Sequence, residues 1–197
     1  MYNLFANNRL FRRFVYLALL TLLLPLSGFC RASVATYEFK PAMVSKWPKM
    51  ENRTAIDTSK VPSLKFLDEK GDTVSLSSLK GKVVFINFWA TWCPPCREEL
   101  PFINQLQVAF KDSDDFVILM VEVEGHIKRA MALLNRRGYN LKVYKPLTPL
   151  PASFFTGELP TTIILNKKGV LVGRIKGAAD YSHPEVIKGL KRMVADN

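Results

Sequence analysis

At 197 residues, with 48% hydrophobic and 11% aromatic content, the chain is long and apolar enough to bury one ordinary core, which excludes a disordered or low-complexity protein. Its formal net charge is +11, but Arg9, Arg12, Arg13 and Arg31 lie in the first 35 residues, which hold no acid, so the remainder carries +7. That excess is spread through loops and helix faces with no arginine-rich run, which sets nucleic acid aside and leaves a basic, soluble surface facing a membrane or acidic partners.

Residues 1–35 have the layout of an export signal: Arg9, Arg12 and Arg13 stand ahead of the apolar run 14–26, and the small residues Ser33, Val34 and Ala35 follow. Cleavage near Ala35 would leave a soluble protein on the extracytoplasmic or periplasmic side. The alternative is an uncleaved anchor over residues 14–30. Phe29 is too large to precede a lipidated cysteine, so Cys30 is expected to be removed or idle. The Arg12-Arg13 pair matches the twin-arginine route poorly, and positive-inside orientation accounts for it.

Residues 36–60, with Pro41, Trp47 and Pro48, show no sustained period and read as an extended arm. The folded domain is expected over residues 61–197. It opens with a hairpin, in which residues 64–67 turn through DEKGD into TVSLSSL. Residues 83–90, VVFINFWA, form a nearly continuous apolar run, the mark of a strand buried on both faces. After Cys96, the spacing of Leu100, Ile103, Leu106 and Phe110 is helical. A second buried strand over residues 116–123 precedes a helix marked by Ile127, Met131 and Leu134 and stopped at Gly138. A short strand at residues 141–144, a loop bearing Pro146, Pro149 and Pro151, and the strand LPTTIIL come next. Residues 163–165 and 170–176 form a hairpin across NKKG, and Pro184 opens a last helix with Val186, Ile187, Leu190 and Val194 inward. Strands alternating with helices predict an α/β domain on a largely parallel sheet.

The motif WATWCPPCREELP sits where the first buried strand gives way to a helix. Cys93 should therefore lie at the helix N-terminus, where free N–H groups and the positive dipole end favour a thiolate. Cys96, nearly one turn further on, is placed to attack a mixed disulfide formed by Cys93. A disulfide between the two would enclose only two residues and restrain the unfolded chain little, so redox chemistry is favoured over a structural staple. Pro94 and Pro95 remove two N–H donors that could stabilise the Cys93 thiolate, which points to a protein that donates electrons.

NFWATWCPPCREELP, LPTT some sixty residues later and the introductory LKFLDEKGDTVSLSSLKGKVV together resemble the thioredoxin fold and, within it, the TlpA-like exported thiol-disulfide reductases, a group that includes those serving cytochrome c maturation. The resemblance runs from about residue 61 to the C-terminus. It implies a three-layer sandwich with a central mixed sheet, flanking helices and an N-terminal hairpin extension. It also implies that Pro160 is a cis-proline facing the cysteine pair, with Leu159 offering its backbone to an extended substrate. Trp92, Pro94, Pro95 and Thr161 join these as substrate-contacting positions, while Trp89 belongs to the core. Pro101 would kink the active-site helix, the rival being a break there. Asn87 stands where cytoplasmic thioredoxins carry a buried aspartate. Glu99 matches an acid of the TlpA-like group that would raise the thiol pKa values and shuttle the Cys96 proton. Glu98 is read as complementing the dipole at the first turn of the helix.

The implied activity is reduction of disulfides in client proteins by a monomer, with no cofactor beyond the Cys93–Cys96 disulfide. Apocytochrome c or another envelope protein would be the client, and a membrane thiol carrier the reductant. Two alternatives stand beside it, a thiol peroxidase of peroxiredoxin type and a non-catalytic thioredoxin-like binding module or chaperone. A zinc site is set aside, because one C-x-x-C and two isolated histidines, His126 and His183, do not make four ligands.

Overall fold

The structure, a computed structural model, describes residues 64–196. The export segment, Ala35, Cys30, the arm at 36–60 and residues 61–63 lie outside the described residues. Among the described residues, no helix is long and apolar enough to cross a membrane.

The elements run β1 (Lys65–Asp68), β2 (Thr73–Ser75), β3 (Val83–Trp89), α1 (Pro94–Ala109), β4 (Phe116–Glu122), α2 (Ile127–Arg136), β5 (Val143–Pro146), β6 (Thr161–Leu165), β7 (Leu171–Lys176) and α3 (Pro184–Ala195). All the strands join one sheet in the order β2-β1-β5-β4-β3-β6-β7. The centre is parallel, β3 with β4 and β4 with β5. Antiparallel pairs extend it on both sides, the hairpin β1–β2 beyond β5 and β6–β7 beyond β3.

Every residue of β3 is buried, as its unbroken apolar run requires of a strand covered on both faces. Alternation along it divides the core. Phe85 and Trp89 face Leu100, Ile103 and Leu106 of α1, with Leu134 of α2 and Leu190 of α3 in the same cluster. Ile86 and Phe88 face the other way, where Phe66 of the hairpin and Phe154 of the proline-bearing loop cover them. Right-handed crossovers that step in one direction, β3 to β4 to β5, put α1 and α2 on one face of the sheet. Among the described residues, the other face is covered by loops and the 3₁₀ turn Leu76–Leu79.

Three expected details shift. The second arm of the hairpin is short, because Ser75 accepts the Ser78 N–H and turns the chain into the 3₁₀ segment. The strand expected at 141–144 lies at Val143–Pro146. Pro146, which the sequence places in a loop, closes that strand opposite Phe66, at a strand end where a missing N–H is tolerated. In α3, Val186, Leu190 and Met193 form the buried stripe, and Ile187 and Val194 are half-buried beside it.

Ile103 is fully enclosed between α1 and the sheet. Replacing it with alanine is expected to cost about 2–5 kcal/mol, seen as a lower denaturant midpoint at unchanged m-value.

Candidate active site

The site grows from the C-terminal end of β3. Trp89 closes the strand, a three-residue loop follows, and the Cys93 N–H donates back to the Ala90 carbonyl at 3.2 Å. Cys93 is the N-cap of α1, and its Sγ accepts the Cys96 N–H at 3.3 Å. The first two helical positions are Pro94 and Pro95, which carry no N–H, so Cys96 supplies the first helical donor that reaches the sulfur. Cys93 and Cys96 form a disulfide.

Burial differs between the sulfur-bearing residues and their rim. Cys96 is wholly enclosed and Cys93 keeps 2% exposure. Trp92 is 58% exposed, and Pro94 and Pro95 are exposed with it. The disulfide thus sits under an apolar rim, with Cys93 the nearer of the pair to solvent.

Helix α1 buries Cys96, Glu99, Leu100, Ile103 and Leu106, positions at helical spacing on one face. Glu99 is therefore a carboxyl inside an apolar stripe, one turn beyond Cys96. Its Oε1 accepts Asn87 Nδ2–H at 2.7 Å and its Oε2 accepts the Ala179 N–H at 3.4 Å. Burial pushes its pKa from 4.5 up to about 8, with those two hydrogen bonds acting the other way. Asn87 also donates to Thr162 Oγ1 at 2.9 Å, its directly opposed residue on β6. The buried Tyr181 hydroxyl donates to the same oxygen at 2.7 Å. Burial and the nearby Glu99 charge hold the Tyr181 phenol well above its ordinary range, against the Thr162 hydrogen bond.

Glu98, by contrast, is exposed, and the first turn of α1 carries no acid. The dipole role expected of Glu98 fails because the helix begins at Pro94, which sets Glu98 in the second turn. Helix α1 passes through Pro101 without a break, leaving the Arg97 carbonyl without its usual donor four residues on.

The Leu159–Pro160 peptide is cis. The β3–β6 register pairs Phe88 with Thr161 and, continued by one residue, sets Pro160 opposite Trp89, at the end of the sheet where the cysteines lie. The Pro160 carbonyl accepts the Gly177 N–H at 2.8 Å. Among the described residues the backbone of Leu159 has no hydrogen-bond partner. Thr161 is buried, and its hydroxyl donates to the Glu158 carbonyl at 2.7 Å, so its side chain is engaged within the loop.

Sequence reasoning had marked Asn87 and Glu99 but passed over Thr162 and Tyr181. Thr162 lies within the motif LPTT and pairs across to Asn87, a signal that strand register would have given. Tyr181 stands in a loop with no pattern around it. Both histidines sit at helix N-caps, His126 at α2 and His183 at α3. Among the described residues, ligand atoms of Glu122, Glu124 and His126 lie within 4.8 Å of one another. Ordinary pairing accounts for that grouping. Glu124 meets His126 Nδ1 at 3.2 Å, and buried Glu122 accepts the His126 N–H at 2.6 Å.

The chain matches the family described as Redoxin over residues 57–188. It is 33% identical over 121 residues to the thiol-disulfide oxidoreductase ResA of Bacillus cereus, a match covering 59% of this chain and 67% of that protein. To the ResA of Bacillus subtilis it is 35% identical over 126 residues, covering 63% and 69% respectively. Among solved structures, the pneumococcal exposed lipoprotein thioredoxin Etrx1 of Streptococcus pneumoniae superposes with a TM-score of 0.53 at 28% identity, over 66% of this chain and 99% of that one. The mixed sheet with its helices is thus thioredoxin-like.

Proposed function

The chain belongs to the redoxin family and is a thiol-disulfide oxidoreductase of the ResA type, and from that premise we propose that it works outside the cytoplasm as an electron donor, reducing disulfides in client proteins. The observation that carries the direction of flow is the N-terminus of α1, where Pro94 and Pro95 leave the Cys96 N–H as the first donor to the Cys93 sulfur. A thiolate with fewer donors is less stabilised, so the reduced form gives up its electrons more readily.

The Cys93 thiolate attacks one sulfur of a client disulfide, forming a mixed disulfide and releasing the other client sulfur as a thiolate. Cys96 then attacks the Cys93 sulfur, closing Cys93–Cys96 and releasing the second client thiolate, so two electrons pass to the client. Glu99 lies one turn from Cys96 with a pKa raised to about 8, and its ionised form takes the proton of the Cys96 thiol as it attacks.

Trp92, Pro94 and Pro95 form the apolar rim against which the client lies, and the Leu159 backbone pairs with an extended client segment by strand addition. This arrangement suits an unfolded chain with an exposed disulfide, such as apocytochrome c or another envelope protein. Oxidised Cys93–Cys96 must then be reduced again, which calls for a thiol carrier in the membrane. Export is supported by the basic-then-apolar pattern of residues 1–35 and by likeness to a protein described as an exposed lipoprotein.

Replacing Pro95 with histidine, which restores an N–H at the second helical position, is expected to lower the Cys93 pKa and make the couple more oxidising. Thiolate absorbance against pH and equilibration with glutathione would show both changes, and an unchanged potential would count against the proline argument. The function itself is tested by mixing the reduced full chain with an unfolded, disulfide-bonded polypeptide. Stoichiometric appearance of client thiols as Cys93–Cys96 closes is the expected result. Consumption of hydrogen peroxide at a rate indifferent to loss of Cys96 would instead mark a peroxidase.

A further inference from the structure

We propose that Thr162 and Tyr181 are positioning residues for Glu99, fixing the side-chain amide of Asn87 so that it presents a donor to the carboxyl. This rests on Glu99 as the proton acceptor for Cys96 and adds what determines when that carboxyl is charged.

Asn87 Nδ2 has two hydrogens, and both are used, one at Glu99 Oε1 and the other at Thr162 Oγ1. The Thr162 oxygen also accepts the Tyr181 hydroxyl, which fills its two acceptor sites and leaves it facing the amide as an acceptor. On its other side the amide has no partner among the described residues, for Asn87 Oδ1 is buried without one. The orientation of the amide therefore depends on Thr162. Turned over, Asn87 would offer Oδ1 to Glu99 and favour the protonated carboxyl, whereas the observed orientation offers N–H and favours the carboxylate. Tyr181 is itself fixed, fully buried with its ring edge-on to Phe85 at a centroid distance of 4.9 Å.

Few other groups compete for Glu99. From β3 it meets Asn87 and from the loop before α3 the Ala179 N–H, with the Tyr181 phenol as a nearby titratable group. On its own helix lies Cys96, bonded to Cys93. No lysine, arginine or histidine pairs with it among the described residues. Of its two donors, the Asn87 amide at 2.7 Å is much the closer, the Ala179 N–H standing at 3.4 Å, so the amide has the greater weight in setting the charge of this carboxyl.

The experiment follows the Glu99 carboxyl directly, by carbon-13 NMR of the oxidised full chain against pH, with the resonance identified by its absence in Glu99→Gln. Thr162→Val is expected to move the Glu99 titration upward by about one pH unit, a tenfold change in its protonation equilibrium. Thr162→Ser, which keeps the hydroxyl, should titrate as the wild type does. Tyr181→Phe should shift it upward by less. A purely structural role would alter stability and leave the titration in place. An unmoved or downward-moved titration in Thr162→Val, or in Tyr181→Phe should the valine variant not fold, overturns the proposal. The parallel pH profile of mixed-disulfide resolution separates the two claims. If the Glu99 titration moves and the profile does not follow, Glu99 is not the proton acceptor for Cys96, while the positioning by Thr162 and Tyr181 stands.

Discussion

Above pH 8, oxidised Glu99→Gln protein is expected to be more stable than the wild type by about 3–5 kcal/mol, an advantage that fades toward pH 4.5. The expectation follows from a carboxyl whose pKa is 4.5 in its ordinary state and about 8 in the fold. Below 4.5 folded and unfolded chains both hold the proton, and the group has no pH-dependent effect. Between the two values the folded chain keeps a proton that the unfolded chain has lost, so wild-type stability falls as pH rises, by about 1.4 kcal/mol per unit. Above 8 the fold must bury the charge, and the full penalty is present. Glutamine keeps the shape and the acceptor for Asn87 but never ionises. Urea unfolding of both proteins across this range, with the disulfide intact, checks the result through their difference, in which the other titrating groups cancel. A difference that does not grow with pH would show that Glu99 is not held protonated by burial.

Loss of Cys96 should cut multiple-turnover reduction by at least about 10³-fold, because the resolving thiol acts from within the molecule at a high effective molarity that added thiol does not match. The Cys96→Ala protein should nonetheless react once, ending as a mixed disulfide with its client. Cys93→Ala should be inactive and should trap little, since Cys96 is wholly enclosed while Cys93 retains access. Non-reducing gels and intact-mass measurement after mixing with an oxidised polypeptide distinguish the two variants. Equal trapping by both would remove the assignment of attacker and resolver.

Much of this arrangement is legible in the sequence because the determining signals are local. The apolar run of β3, the cysteines at a strand-to-helix junction and the helical spacing of Leu100, Ile103 and Leu106 each depend on residues close in the chain. The two prolines that withhold N–H groups from Cys93 can be read from the motif alone. What the sequence does not show is set by register and by packing between distant segments. Glu99 joins the apolar stripe of α1, but its environment is completed by Asn87 twelve positions earlier, the Ala179 N–H eighty positions later and Thr162 and Tyr181 behind them. Among the described residues, the covering of the second sheet face by loops is also nonlocal, because it depends on where Phe154 comes to rest. Glu98 shows the opposite error. The helix starts where the motif places it, at Cys93, but counting from Pro94 sets the acid assigned to the first turn in the second, where it lies exposed.

The most direct measurement is the reduction potential of Cys93–Cys96 in the full chain, taken by equilibration with defined glutathione buffers and counting of the two thiols by alkylation. An electron donor built on the α1 terminus described above should lie nearer the thioredoxin value of about −270 mV, and a potential near the strongly oxidising end, about −120 mV, would contradict the donor account.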